Sequence, residues 1–305
     1  MSESAVSMRS SVSAVWMDGR EILPEEATVN VSAHGLNYAT AVFEGIRAYE
    51  TADGRVAIFR LKDHLKRLNA SAQAIDIEPR YSVEQLIEVA VTLVQKSGLK
   101  NAYIRPIIFL GEGIGLMQAN LQVHTAILVL PWTTKPNNGL RLLVSKFRRP
   151  NPASTIITAK TSSHYESSRL AALEAQRKGF NDALQLDTYG HVAETTVANV
   201  FMLRGHVVIT PVEGSILPGF TRDAVRAIVQ NMNGDCEHEE RYIHLPGLLK
   251  ADEIFVAGTA TEITPVIGVN EHLFEIGPIT RQIAETYQRV VHGEKVLVPD
   301  WITWA

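Results

Sequence analysis

Cysteine is nearly absent from this chain: Cys236 stands alone among 305 residues. A single thiol excludes an intrachain disulfide and any cysteine metal cluster, and no metal is expected. Long apolar runs are missing too, and none reaches the length a helix needs to cross a bilayer. Neither charge sign dominates. Lys and Arg number 29 against 33 Asp and Glu, a formal net charge of -4, which argues against nucleic acid or an anionic membrane as partner. The densest basic cluster, Lys146-Phe147-Arg148-Arg149, is too short to change that. Repeats are lacking, and so is low complexity beyond Met1 to Ser13. That serine-rich lead-in over 1–13 has no apolar core and reads as disordered rather than as a secretory signal, with Met8 as an alternative start. A cytoplasmic location is expected. What is present is 46% hydrophobic, ample for one large domain or two smaller ones.

In chain order, Ala14 to Ile22 reads as two short strands about an Asp18-Gly19 turn. Alternation over Ala27 to Val31 predicts a further strand, and Tyr38 to Tyr49 reads as one strand carrying aromatics, Gly45 and Arg47. After the strand Val56 to Phe59, Leu61, Leu65 and Leu68 recur at helical spacing, with Lys62, His64, Lys66 and Arg67 mostly on the other face. A solvated face is the plain reading for Lys66. Arg60 differs, because it sits at the strand-to-helix junction, where a guanidinium can meet a phosphate with two parallel hydrogen bonds. Tyr81 to Lys96 is an amphipathic helix stopped by Gly98. Tyr103-Ile104-Arg105-Pro106 opens an apolar strand that sets Tyr103 and Arg105 on one face, and an arginine there needs an anion. Gly111-Glu112-Gly113-Ile114-Gly115 is a loop rather than a nucleotide fingerprint, since no helix follows it. The strand-rich first half, 14–131, ends at a polar linker over 132–139, and a second domain is expected over 140–305.

Four stretches of the second half carry chemistry. Thr155 to Thr158 is β-branched, predicts a strand, and runs into Lys160, after which Glu166 to Ala175 reads as a helix. Lys160 is either a surface lysine at a strand end or a desolvated, nucleophilic amine suited to a Schiff base. Glu194 stands among small residues, as a capping acid, an ion pair or a site carboxylate. Leu217-Pro218-Gly219-Phe220-Thr221 opens a helix whose N–H groups face any anion, with an ordinary Thr221 cap as the alternative. Gly258-Thr259-Ala260-Thr261-Glu262 lets backbone approach a ligand closely.

As an ordered set these stretches resemble the class IV, or fold-type IV, aminotransferases that use pyridoxal 5′-phosphate, and most closely the bacterial branched-chain amino acid aminotransferases. The residues that carry the resemblance are Phe43-Glu44-Gly45-Ile46-Arg47, Arg60-Leu61 with His64 and Arg67-Leu68, Tyr103-Ile104-Arg105-Pro106, Lys160 with Tyr165, Glu194 with Asn199, Leu217-Pro218-Gly219 with Thr221-Arg222-Asp223, and Gly258-Thr259-Ala260 with Glu262. The resemblance implies an α/β (α+β) two-domain fold: a smaller N-terminal α/β domain, a larger C-terminal domain with a barrel-like sheet, and the cofactor between them. It implies that Lys160 holds the cofactor and moves the proton, that Glu194 pairs with the pyridine nitrogen, and that Tyr165 bonds the phenolic oxygen. Arg60, Gly219, Phe220, Thr221, Gly258 and Thr259 would bind the phosphate end, and Leu217 would pack on the ring. For the substrate, Thr259, Ala260 and Tyr103 would receive the α-carboxylate, Tyr38, Phe43 and Gly45 would shape an apolar pocket, and Arg105 with Arg47 would catch the distal carboxylate of glutamate.

The reaction so implied is transamination between leucine, isoleucine or valine and 2-oxoglutarate, by a homodimer or higher homo-oligomer whose Gly111 to Met117 loop reaches a partner's pocket. Small-molecule amino acids and 2-oxo acids are the partners. Two positions depart from the family. Ser162-Ser163-His164-Tyr165 replaces the common Gly-Gly-Asn-Tyr, and Ala198 stands where a second acid is frequent. Both alter polarity near the site. They leave open a specialised transaminase with another amino acid or an (R)-amine as donor, beside a lyase of the aminodeoxychorismate type.

Overall fold

The computed structural model describes residues 12–133, 138–232, 234 and 236–305. Most of the expected lead-in 1–13, and residues 134–137 of the expected linker, lie outside the described residues. The chain divides into two compact units: the described part of Met1–Thr134 with Pro299–Ala305, and Lys135–Val298.

In the first unit lie β1 (Ala14–Met17), β2 (Arg20–Ile22), the single-turn α1 (His34–Asn37), β3 (Ala41–Phe43), β4 (Ile46–Glu50), β5 (Val56–Phe59), α2 (Leu61–Ala74), α3 (Val83–Ser97), β6 (Ala102–Leu110) and β7 (Val123–Pro131). The chain's last strand, Ile302–Trp304, starts an antiparallel sheet that continues β5-β4-β6-β7-β1-β2, with β3 also on β6. Leu61, Leu65 and Leu68 of α2 and Leu86, Ala90 and Leu93 of α3 bury against Ile46, Ile58, Ile104 and Ile127 of the sheet. α3 begins where Ser82 and Gln85 cap each other reciprocally, and it ends at Gly98 in the left-handed region (φ 65°).

Three expectations need correction. Ala27 to Val31 forms no strand: a 3₁₀ turn at Pro24–Glu26 precedes it, and among the described residues no strand pairs with it. Tyr38 to Tyr49 is not one strand: Tyr38 closes α1, Ala39 is left-handed (φ 56°), and the run from Ala41 is broken at Glu44-Gly45, opposite Pro106 of β6, which has no N–H to give the ladder. The C-terminal tail, expected within the second domain over 140–305, belongs to the first unit. Ile302–Trp304 pairs with β5, and Trp301 is buried edge-on against Phe59, their centroids 5.8 Å apart.

The second unit contains β8 (Leu140–Val144), α4 (Tyr165–Arg177), β9 (Asp182–Leu186), β10 (Val192–Thr195), β11 (Asn199–Arg204), β12 (Val207–Pro211), α5 (Phe220–Gln230), β13 (Glu237–Arg241), the single-turn α6 (Leu245–Leu248), β14 (Glu253–Gly258), β15 (Glu262–Val269), β16 (His272–Leu273) and α7 (Pro278–Val291). Strand order β10-β9-β8-β15-β14-β11 closes on itself because Glu194 of β10 pairs with Asn199 of β11. This six-stranded ring is the barrel-like sheet expected of the second half. β12 and β13 extend from β11, and β8 pairs in parallel with both β9 and β15. Asn199 to Leu203 are buried without alternation, as strands covered on both faces require. The fold is α+β.

Candidate active site

The β-branched run before Lys160 is not a strand. Residues 152–159 form successive turns, closed by Ser154 N–H to Asn151 O (2.9 Å) and Ala159 N–H to Ile156 O (3.0 Å). Among the described residues no strand pairs with them, so local turn chemistry overrides the strand propensity of Thr155 to Thr158. Lys160 leaves this loop half-buried, and its Nζ lies 2.5 Å from the Tyr165 hydroxyl at the start of α4. His164, one residue earlier, is buried and its Nε2 lies 2.7 Å from Thr155 Oγ1, tying the two ends of the Lys160 loop. Burial first, then the charges of Arg149 and Lys160, push the His164 pKa down to about 4, so the ring is neutral at pH 7.

Glu194 projects from β10 and is 6% exposed. Asn199 Nδ2 donates to its carboxylate at 3.0 Å and the Leu217 N–H at 3.3 Å, while Arg149 Nε lies 2.9 Å from Oε1 in an ion pair. Burial pushes the Glu194 carboxyl up. Arg149, then the Leu217 N–H and Lys160, pull the other way without cancelling it. Asn199 also donates to Leu217 O (3.0 Å), so one amide fixes both the carboxylate and the Leu217 backbone. Gly219 is the N-cap of α5 and supplies no side-chain cap, and any Cβ there would run into Asn199 Oδ1. Phe220 and Thr221 form the first turn of that helix, with Thr221 buried. Gly258 ends β14 against Ala198 and Val197, and Thr259-Ala260-Thr261 turns into β15.

Within the first unit, Arg105 Nη2 donates to the Tyr103 hydroxyl at 2.9 Å, and its guanidinium lies 4.5 Å from the Phe43 ring centroid. Tyr103 stacks on Trp132, centroids 5.2 Å apart. Arg47, 1% exposed, lies between Tyr49 (4.4 Å) and Trp132 (5.1 Å). Gly45 is required here, because a Cβ would strike the Tyr103 phenol. Phe43, Gly45, Arg47, Tyr103 and Arg105 are thus brought together as a ladder of rings and guanidiniums. Tyr38 is anchored by the 111–117 loop, its hydroxyl accepting the Gly115 N–H at 3.0 Å. Arg60 adopts the left-handed region (φ 57°) ahead of α2, pairs with Asp63, and lies over Trp301 at 4.6 Å.

Residues 41–269 match the family model described as amino-transferase class IV. This chain belongs to the class IV aminotransferases. It is 34% identical over 291 residues to the branched-chain-amino-acid aminotransferase of Escherichia coli K12, covering 92% of this chain and 93% of that one. Among solved structures, the branched-chain aminotransferase of Thermoproteus uzoniensis with norvaline superposes with a TM-score of 0.92 at 38% identity, covering 95% of this chain and 98% of that one. The branched-chain amino acid aminotransferase of Thermobaculum terrenum, in its pyridoxal-phosphate form, gives a TM-score of 0.90 at 32% identity, covering 96% and 98%. The chain is a pyridoxal-phosphate-dependent transaminase with the fold-type IV architecture.

The aminotransferase's second unit fits that cofactor. It joins a lysine amine to a phenol, buries a carboxylate with a guanidinium behind it, and leaves a glycine-capped helix start for a phosphate. Sequence reading missed two members, Arg149 and Trp132. Arg149 was hidden in a basic cluster judged only by its charge. The test applied to Arg105, that an arginine inside an apolar strand needs an anion, does not reach Arg149, which lies outside any strand. Trp132 fell at the start of the expected linker, where no partner was visible.

Proposed function

We propose that this aminotransferase moves the amino group between branched-chain L-amino acids and 2-oxoglutarate. The observation that carries the reading is the ladder at Phe43, Tyr103, Arg105, Trp132 and Arg47. Its rings offer an apolar wall to a branched side chain, and its guanidiniums offer two-point hydrogen bonding to a distal carboxylate. One pocket can then serve both half-reactions. Pyridoxal phosphate, when bound, supplies the electron sink for the substrate α-carbon. Lys160 Nζ is the group that carries it and takes up and returns the α-proton, and the Tyr165 hydroxyl orients that amine and bonds the phenolic oxygen. Glu194, steadied by Arg149 and Asn199, holds a proton at the pyridine nitrogen. Gly219, Phe220, Thr221, Gly258 and Thr259 hold the phosphate end with Arg60, and Leu217 packs on the ring. Thr259, Ala260 and Tyr103 receive the α-carboxylate, with Tyr38, Phe43 and Gly45 shaping the apolar side.

The reading extends to a homo-oligomer acting in the cytoplasm. Val31, Leu36, Ile114, Leu116 and Met117 are 64–92% exposed, on segments joined by the Ala33–Glu112 bridge. Exposed apolar side chains gathered on two joined segments suit an interface, and a second copy would cover them. Among the described residues no helix is long and apolar enough to cross a membrane. Sedimentation should give at least a dimer, and a monomer at micromolar concentration would refute that part.

The functional test is the visible spectrum of the holoprotein with L-leucine, L-glutamate or a simple (R)-amine added singly. Loss of the yellow band with both L-amino acids is expected. Loss with the amine alone would move the donor class, and no yellow band after incubation with pyridoxal phosphate would remove the reading.

A further inference from the structure

Among the described residues of the first unit, the fully buried acid is Glu44, 0% exposed, between the pocket residues Phe43 and Gly45. Its Oε1 accepts from Arg67 Nε at 2.5 Å and its Oε2 from Arg67 Nη2 at 3.0 Å, with His64 Nδ1 2.7 Å from Oε2. Burial alone would push this carboxyl up. The Arg67 charge, then His64 and the hydrogen bonds of both, outweigh burial and hold it below the usual carboxylate range. His64 and Arg67 are three residues apart on α2, so they share one face, while Leu61, Leu65 and Leu68 fill the core. The Glu44 N–H donates to Pro106 O at 2.9 Å, where the β3–β4 run is broken.

We infer that Glu44, His64 and Arg67 are positioning residues: a buried ionic clamp that fastens the Phe43–Gly45 segment to α2 and so sets the pocket against Tyr103 and Arg105. The main-chain ladder cannot do this alone, because Pro106 brings no N–H to it. Gly45 must pass close to the Tyr103 phenol, so a small displacement of this segment moves the phenol that Arg105 holds. The same helix begins at Arg60, so the clamp also joins the side-chain pocket to the proposed phosphate ligand through one rigid element. A buried ion pair is a poor choice for stability alone, since apolar side chains of similar volume commonly do as well. What it supplies is one fixed geometry, through the two-point fork of Arg67.

The inference rests on the pocket reading above. Its test compares wild type, Glu44→Gln, Arg67→Lys, Arg67→Met and the double variant E44Q/R67M with Leu68→Ala, a core variant of the same helix that leaves the clamp intact. We expect E44Q to raise KM for L-leucine and for 2-oxoglutarate at least fivefold with kcat within twofold. R67K, which keeps the charge and loses the fork, should fall between E44Q and wild type. R67M should be worse than E44Q/R67M, because the single change strands a buried carboxylate. In the apo protein, hydrogen exchange at the Glu44 and Gly45 amides should speed up in E44Q and R67K but not in L68A. Unchanged KM in R67K and E44Q, or an equal rise in L68A, would overturn the clamp. Wild type without leucine transamination would instead overturn the pocket reading, and the exchange comparison would still judge the clamp. If E44Q does not fold, R67K and the exchange data decide.

Discussion

Arg149 and Glu194 form the buried ion pair on which the proposed proton-holding role rests. Replacing Arg149 by Met leaves the Glu194 carboxylate buried with its neighbouring amides and no adjacent guanidinium. Breaking a buried pair from one side costs about 3–5 kcal/mol, so urea unfolding should show a loss of that order. The Glu194 pKa, already raised by burial, should rise further. The acidic limb of the kcat profile should therefore move to higher pH, and an unmoved limb would remove Glu194 from the proton-holding role. His164 gives a second pH signature. Its folded pKa of about 4 lies below the ordinary 6.5, so between those values the unfolded chain binds more protons than the native one. Stability from this residue is present above about pH 6.5 and is lost as pH falls towards 4. Changing His164 to Asn should flatten the fall in stability between pH 7 and 4.5 by on the order of 2 kcal/mol, read from urea midpoints at each pH. Lys160, Glu194 and Arg105 were legible as candidates because each is a charge in an apolar or small-residue context. Arg149 was not, because its partner lies far along the chain and the cluster around it looks like surface.

At the scale of elements, the helix starts position the site. α5 begins at Gly219, where a Cβ would meet the Asn199 side chain that also holds Glu194 and Leu217. Gly219→Ala should thus weaken pyridoxal phosphate retention by roughly 1–3 kcal/mol, the scale of overpacking in a filled site, measured by equilibrium dialysis. Retention equal to wild type would show that Asn199 can move without consequence. α2, α3 and α4 were readable from apolar periodicity, α5 from the Pro218-Gly219 turn at its start, and the end of α3 from Gly98, because those signals act over one or two turns. The strands expected at Ala27–Val31 and Thr155–Thr158 failed for the complementary reason. A strand exists only where another runs beside it, and local composition does not say whether one does.

For the whole molecule, two long-range closures matter. The last strand returns to β5 with Trp301 buried beside Phe59 and Arg60. Trp301→Ala should destabilise the first unit by about 3–5 kcal/mol, the usual cost of emptying a buried aromatic site, seen as an early transition in urea. If the tail were a surface appendage, unfolding would be unaffected. The other closure is the six-stranded ring, in which β8 pairs with the much later β15 and Glu194 meets Asn199. Local sequence is enough for the longer helices, for the ordered motifs of the family, and for marking Lys160 and Glu194 as the candidate lysine and carboxylate. These are matters of short-range periodicity and of residues whose side chains are costly to bury unused. The ring order, the return of the tail, the turns before Lys160, the partner of Glu194 and the clamp on Glu44 were set by three-dimensional packing. Each depends on which distant segments meet, and pairwise contacts across long loops leave no period in the chain to read.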